Sequence, residues 1–182
     1  MTAYIVDVET SSLYGDVIEL AFAEFLPINT NSSRWATAST CCERFRPTGA
    51  IDPRAAAVHR ITQSDLEGCK PSSVAGVPPA EYWIGHNIMY DWERLGRPVD
   101  VKLLCTYALA KAVWPRINGY KLSELYLSLF GADHVDDLAG LHGAVTDVKL
   151  TGRVMARIMR ETKATSLSQL PYLTHPDTWS KS

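Results

Sequence analysis

Two acidic residues near the N-terminus have a spacing that could support chemistry. Asp7 and Glu9 lie two positions apart, in and just after the β-branched and aromatic segment 3 to 8. Because side chains alternate between the faces of a strand, both carboxylates point to the same face. A single strand carboxylate is usually solvent-exposed, but two on one apolar strand repel each other, and a divalent cation between them removes the repulsion. The pair therefore indicates a metal site, with an exposed strand end as the alternative.

A third carboxylate, Asp147, lies on the apolar face of a helix predicted from about 144 to 162. Leu150, Val154 and Ile158 follow it at offsets of 3, 7 and 11, which places Asp147 on the stripe that should face the core. A carboxylate there is costly unless it is paired or bound to metal. The alternative is a first-turn aspartate that interacts favourably with the helix dipole.

Two further residues, His142 and Asp91, could complete such a site. His142 precedes Asp147 by five positions, and on one helix the two side chains would diverge by about 140°. They converge only if His142 lies in a loop before the helix, which Gly140 and Gly143 would allow. Taken alone, His142 could equally be a surface histidine, and Asp91 an ordinary carboxylate at a helix start.

Local sequence patterns predict the elements that position these residues. Strands are predicted at 3 to 8, 17 to 26 and 34 to 46, forming a meander, and at 82 to 84 and 101 to 105. Helices are predicted from Pro53, from about Tyr90, and over 106 to 114, 121 to 130 and 144 to 162, with a loop at 71 to 79. Strands followed by alternating strands and helices indicate an α/β fold with a mixed sheet covered by helices.

Composition indicates an ordinary globular protein. The 182 residues are 46% hydrophobic and 21% charged, and 18 basic against 20 acidic residues give a net charge of −2. This charge excludes a basic sheath around long nucleic acids or an anionic membrane. The apolar runs are too short to span a bilayer. Four cysteines without zinc spacing, and no secretory segment, lead us to expect reduced thiols in a cytoplasmic protein.

Three ordered motifs resemble those of the DEDDh exonuclease superfamily. They are Asp-Val-Glu-Thr at 7 to 10, His-Asn-x-x-Tyr-Asp at 86 to 91 and His-x-Ala-x-x-Asp at 142 to 147. The resemblance runs from about residue 4 to 160. Connecting segments such as Phe45-Arg46-Pro47 and Val58-His59-Arg60-Ile61-Thr62 are similar to the exodeoxyribonuclease X type of the superfamily.

The resemblance implies a ribonuclease H-like fold, with a mixed five-stranded β-sheet flanked by α-helices, and a two-metal 3′-to-5′ exonuclease that releases nucleoside monophosphates. It implies an exonuclease domain over 1 to 164 and a short C-terminal tail, a short helix and a loose end, over 165 to 182. Four carboxylates would bind two Mg²⁺ or Mn²⁺ ions and one histidine would be the general base; these are Asp7, Glu9, Asp91, Asp147 and His142. Substrate-binding residues would be Thr10, Leu13, His59 and Asn87, although turn stabilisation by His59 and helix capping by Asn87 are alternatives.

The expected substrate is the 3′ end of single-stranded or duplex DNA, in a pathway such as DNA repair. The nearest alternative is an exoribonuclease that trims RNA 3′ ends. A non-catalytic module that binds nucleic-acid ends would have lost a carboxylate or the histidine, and none is lost. A polymerase proofreading subunit would require a partner-binding tail. No membrane partner is expected, and a homodimer remains open.

Overall fold

The computed structural model describes residues 1–29 and 33–171. Within these residues, seven strands form the sheet: β1 (Ala3–Thr10), β2 (Val17–Pro27), β3 (Trp35–Thr37), β4 (Cys41–Arg46), β5 (Lys70–Pro71), β6 (Tyr82–Gly85) and β7 (Lys102–Cys105). The same part of the chain contains five α-helices: α1 (Pro53–His59), α2 (Met89–Arg94), α3 (Thr106–Val113), α4 (Leu122–Phe130) and α5 (Ala144–Thr162).

The sheet is mixed, with β1 at its centre. The strand order is β5-β4-β2-β1-β6-β7, and β3 pairs with β2 beside β4. The hairpin of β1 and β2 is antiparallel, as are the pairs of β2 with β3 and β4. The strands β6 and β7, each followed by a helix, pair in parallel with β1 and with each other. These crossovers bring the N-termini of α2 and α3 to the same edge, at the carboxyl ends of the parallel strands.

Helices cover both faces of the sheet, and alternation along β1 supplies both cores. Ile5 is fully buried against α3, α4 and α5. Val6 and Val8 face the opposite side and pack with Trp92 of α2. Within α5, Gly152 lies so close to Thr37 of β3 that a Cβ atom would have no room. The longest helix is thereby held tightly against the sheet.

The fold class is the predicted one, a mixed α/β sheet flanked by helices, but the strand count of five was wrong. The expected third strand at 34 to 46 divides into β3 and β4, because residues 38 to 40 leave the ladder while both pieces pair with β2. The expected loop at 71 to 79 begins with the end of the two-residue strand β5. Helix α5 has the predicted bounds.

The C-terminal segment packs against the main core as far as it is described. Leu167 and Leu170 are buried in the core cluster beside α5, and Leu167–Gln169 form one 3₁₀ turn. The loose end predicted for the tail lies beyond residue 171, outside the described residues. No helix within residues 1–29 or 33–171 is both long and apolar enough to cross a bilayer.

Candidate active site

The end of β1 presents two carboxylates on the face covered by α5. Asp7 and Glu9 continue the row of Ala3 and Ile5, as the alternation of a strand requires. The pairing of β1 with β2 shifts register immediately after Glu9, where Glu9 faces Glu19 and Thr10 faces Val17. This β-bulge leaves Ile18 as an extra residue on β2. Bulges redirect side chains and are frequent beside active sites.

Helix α5 brings Asp147 to this pair. Asp147 is in the first turn of α5, and the stripe below it, including Leu150, Val154 and Ile158, is buried as predicted. One carboxylate oxygen from each of Asp7, Glu9 and Asp147 lies within 4.8 Å of the other two. All three side chains are half-buried. The structure therefore assembles three hard oxygen donors at one point.

Burial and mutual repulsion make these carboxyl groups hard to ionise. Burial is the largest cause that raises the pKa of Asp7 well above its usual range, and Asp91, Asp147 and Glu9 raise it further. The pKa of Glu9 rises from 4.5 to about 8, first through burial and then through Asp147 and Glu19. Burial also raises the pKa of Asp147, which the His142 backbone N–H partly offsets. Bound cations would favour the ionised carboxylates and reverse this preference.

Asp91, in α2, lies beside the group of three carboxylates rather than within it. Its side chain is only 4% exposed, and its Oδ1 accepts a hydrogen bond of 3.0 Å from the Val8 backbone N–H. Burial raises its pKa to about 8, although the hydrogen bonds from the backbone amides of Val8 and Asp91 itself act in the opposite direction. Among the neighbouring charges, Asp91 raises the pKa of Asp7 the most. The four predicted carboxylates therefore interact.

His142 lies in a loop before α5. This is the position that the sequence requires if the side chains of His142 and Asp147 are to converge. Its φ is 63°, Gly143 follows it as the N-cap residue of α5, and its side chain is exposed. The His142 backbone N–H donates to Asp147 Oδ1 at 3.4 Å. A left-handed conformation is uncommon for histidine, and at His142 it forms part of the turn that leads into α5.

Two cavities flank the carboxylates. The first, of about 540 Å³, is lined by Asp7, Asp147, His142, His86 and the first turn of α4 with Lys121. His86 is fixed there: its Nδ1 lies 3.0 Å from Thr106 Oγ1 and its Nε2 lies 2.8 Å from the Tyr120 carbonyl oxygen. Burial lowers the pKa of His86, which favours the neutral ring. A carbonyl only accepts, so Nε2 carries the proton.

The second cavity, of about 410 Å³, contains Glu9 and three of the predicted substrate-binding residues: Thr10, Leu13 and His59. Leu13 is 65% exposed at its edge. His59 Nδ1 accepts the Ile61 N–H at 3.0 Å, so this side chain stabilises a turn as well as lining the cavity. The Tyr90 hydroxyl lies 2.5 Å from Thr10 Oγ1, joining α2 to the end of β1.

Asn87 differs from its neighbours in the motif. It is exposed, it lines neither of these two cavities, and its φ is 72°. Helix α2 has Ile88 as its N-cap and no side-chain cap, so the capping interpretation of Asn87 was wrong. The Asn87 carbonyl accepts the Tyr90 N–H at 3.1 Å. Its contribution is a tight turn, since asparagine tolerates the left-handed region.

Sequence reasoning missed Glu19 and its partner Arg44. Glu19 is 5% exposed in the middle of β2, opposite Glu9 on one side and Arg44 on the other. A charged residue between Ile18 and Leu20 in an apolar strand was the available signal, because such residues are rarely buried without a partner. His86 and Lys121 were also missed, since the proximity of His86 and the α4 N-terminus to Asp7 depends on the crossovers.

The sequence and the structure of this chain are similar to those of known exonucleases. No protein-family model matches the chain. Exodeoxyribonuclease 10 of Escherichia coli K12 is 29% identical over 163 residues, which cover 85% of this chain and 67% of that protein, and the same values hold for the protein of Escherichia coli O6:H1. A solved structure of exonuclease X in complex with 5′ overhanging duplex DNA matches with a TM-score of 0.67 and 26% identity, covering 88% of this chain and 93% of that one. The chain is therefore similar to exodeoxyribonuclease 10 and exonuclease X, and it has a ribonuclease H-like fold.

Proposed function

We propose that the protein is a metal-dependent 3′-to-5′ exodeoxyribonuclease that releases nucleoside 5′-monophosphates from DNA ends. The observation that carries this proposal is the convergence of Asp7, Glu9 and Asp147 within 4.8 Å, beside a loop that presents His142. Similarity to exodeoxyribonuclease 10, and to an exonuclease X structure that contains DNA, supports the reaction class and the substrate.

The cluster of carboxylates is proposed to hold two divalent cations, Mg²⁺ or Mn²⁺. Asp7, Glu9 and Asp147 offer closely spaced oxygen donors and Asp91 lies beside them, which is the donor chemistry that hard cations prefer. Burial, and after it repulsion from neighbouring carboxylates, raises the pKa of Glu9 and of Asp91, and bound cations would favour the ionised forms. When bound, the cations would make a water molecule more acidic and stabilise the charge that develops on the phosphate oxygens.

His142 is proposed to accept the proton of the attacking water. The water oxygen forms a bond to phosphorus and the water proton moves to the His142 imidazole. The bond to the 3′ oxygen of the preceding nucleotide breaks, and that oxygen leaves with the bonding electrons and takes up a proton from solvent. An exposed imidazole can accept a proton from water and pass it on to solvent. The hydrogen bond of its backbone N–H to Asp147 ties the position of the loop to the carboxylates.

The two cavities suggest how the 3′ end of a DNA strand would lie in the site. The terminal nucleoside would occupy the second cavity, between Thr10 and His59, with the exposed Leu13 as an apolar wedge beside the last base. The scissile phosphate would then lie at the carboxylates, of which Asp7 and Asp147 line the first cavity and Glu9 lines the second. Lys121, in the first cavity, would offset the local negative charge for the rest of the strand.

A panel of 5′-labelled oligonucleotides tests direction, sugar and strand preference together. Single-stranded DNA, duplex DNA with a 5′ overhang, and RNA of the same sequence are incubated with Mg²⁺, and products are separated by length. We expect a ladder of labelled DNA shortened from the 3′ end, together with unlabelled nucleoside 5′-monophosphates. Digestion should stop in EDTA and resume when Mg²⁺ or Mn²⁺ is added in excess.

The matched control is Asp7→Asn, which keeps the shape of the side chain and removes its charge. It should abolish hydrolysis while the protein stays folded, because the loss relieves repulsion among neighbouring carboxylates. Rapid digestion of RNA with DNA spared would replace the DNA assignment by an exoribonuclease. Release of the labelled 5′ nucleotide first, or full activity of Asp7→Asn, would contradict the proposal as a whole.

A further inference from the structure

Glu19 connects the sheet to the N-terminus of α5. It lies between Glu9 on β1 and Arg44 on β4, so the three side chains form a row across three strands. Both of its oxygens are engaged. Oε2 accepts a hydrogen bond of 2.8 Å from Arg44 Nε, and Oε1 accepts one of 3.2 Å from the backbone N–H of Ala144, 125 positions later in the chain.

The hydrogen bond to Ala144 replaces a cap that α5 lacks. The first N–H groups of a helix have no partner within the helix, and the N-cap side chain usually supplies one. In α5 the N-cap residue is Gly143, which has no side chain, and no side-chain cap is formed locally. Ala144 is fully buried, so water does not reach its N–H. Glu19 supplies the missing acceptor from β2, and its negative charge suits the positive end of the helix dipole.

The capped residue lies between the two groups that α5 contributes to the site. His142 is two positions before Ala144 and Asp147 is three positions after it. The Asp147 backbone N–H donates to the Gly143 carbonyl at 3.2 Å, and the His142 N–H donates to the Asp147 carboxylate. A displacement of Ala144 relative to β2 would therefore move both His142 and Asp147 away from Asp7 and Glu9.

We propose that Glu19 is a positioning residue, which caps α5 from the neighbouring strand and thereby sets the distance of Asp147 and His142 from the carboxylates of β1. Glu19 is not assigned as a metal ligand, because it is outside the cluster of Asp7, Glu9 and Asp147, and its two oxygens accept hydrogen bonds from Arg44 and Ala144. The consequence for catalysis rests on the proposed nuclease function, whereas the consequence for metal binding does not.

Three variants test this role. Glu19→Ala removes the acceptor, and Glu19→Gln keeps an oxygen for the Ala144 N–H while it loses the charge. Val154→Ala is the control, because Val154 is fully buried on the same helix and far from its N-terminus, so that it lowers stability without removing the cap. Mn²⁺ binding is followed by the loss of the electron paramagnetic resonance signal of free Mn²⁺, without substrate. The kcat and KM for a DNA oligonucleotide are measured at a temperature where all variants are folded.

Glu19→Ala should weaken Mn²⁺ binding and lower kcat by about 10- to 100-fold each, the range found when residues that orient metal ligands are lost. KM should change little, because the second cavity is untouched. Glu19→Gln should lie between Glu19→Ala and wild type, and Val154→Ala should lower the melting temperature with unchanged Mn²⁺ affinity.

The proposal is overturned if Glu19→Ala binds Mn²⁺ as tightly as Val154→Ala does. If Glu19→Ala does not fold, Glu19→Met takes its place, because it fills the same space without an acceptor for the Ala144 N–H, and Mn²⁺ affinity equal to that of Val154→Ala overturns the proposal. If wild-type protein binds Mn²⁺ but cleaves no nucleic acid, the proposed nuclease function fails, and the comparison of Mn²⁺ affinities still decides the role of Glu19.

Discussion

Replacement of Glu9 by glutamine should stabilise the metal-free protein at high pH. The folded state raises the pKa of Glu9 from 4.5 to about 8, so the unfolded chain ionises first as the pH increases. A carboxyl group whose pKa is raised by folding lowers the stability of the folded state as the pH rises. The loss is complete once the pH exceeds the pKa of the folded state. Metal-free wild-type protein should therefore lose stability between about pH 4.5 and pH 8, and Glu9→Gln should escape that loss.

The magnitude follows from the two pKa values. At about 1.4 kcal/mol per pKa unit, a rise from 4.5 to about 8 corresponds to roughly 5 kcal/mol when Glu9 is fully ionised. Asp147 and Glu19 contribute to the shift and can relax when one charge is removed, so we expect a gain of about 2 to 3 kcal/mol at pH 8. At pH 5 the same arithmetic leaves less than about 1 kcal/mol.

Urea unfolding in EDTA, followed by tryptophan fluorescence at pH 5 and pH 8, measures this difference. Glu67→Gln is the control, because Glu67 is an exposed glutamate and is not among the charges that shift the pKa of Asp7 or Glu9. In the presence of Mg²⁺ the order should reverse, since wild-type protein gains more from the cation than a variant with one ligand fewer. Equal effects of Glu9→Gln at the two pH values, or a loss of stability at pH 8, would refute the electrostatic reasoning.

Three further outcomes are expected. His142→Ala should lower kcat by about 10²- to 10⁴-fold while the melting temperature stays unchanged, because the side chain is exposed; a kcat within a few-fold of wild type would remove His142 as the base. Tyr90→Phe deletes the hydroxyl that contacts Thr10 and should cost about 0.5 to 1.5 kcal/mol of unfolding free energy in urea titrations, with a higher KM for the oligonucleotide; an unchanged KM would separate this contact from substrate binding. Titration with Mg²⁺ in a calorimeter should release protons near pH 7, because Glu9 and Asp91 must ionise to bind the cation; heat that does not depend on the ionisation enthalpy of the buffer would argue against that coupling.

The parts of the site that follow a local period were predictable from the sequence. The alternation of a strand places Asp7 and Glu9 on one face, and the helical period places Asp147 above Leu150 and Val154. The position of His142 before the helix follows from the angle between successive residues of a helix, and in the structure His142 does precede α5.

Features that depend on contacts between distant segments were not predictable in this way. Glu19 meets Ala144 across 125 positions, and no local pattern links them. The division of segment 34 to 46 into β3 and β4 depends on where β2 offers partners, because both strands add to the same neighbour. Asn87 shows the same limit, since its preference for helix caps competes with its tolerance of the left-handed region, and the turn after β6 selects the latter.

The position of α5 within the chain has a consequence for biosynthesis. During translation β1, which carries Asp7 and Glu9, leaves the ribosome before Asp147 and the helix that aligns it, which follow more than 130 residues later. A nascent or prematurely terminated polypeptide that ends before residue 144 has neither His142 in its folded loop nor the third carboxylate. Under the proposed function, nucleic acid near the ribosome would be protected from incomplete copies of this enzyme, because its cutting activity would appear only after α5 has docked.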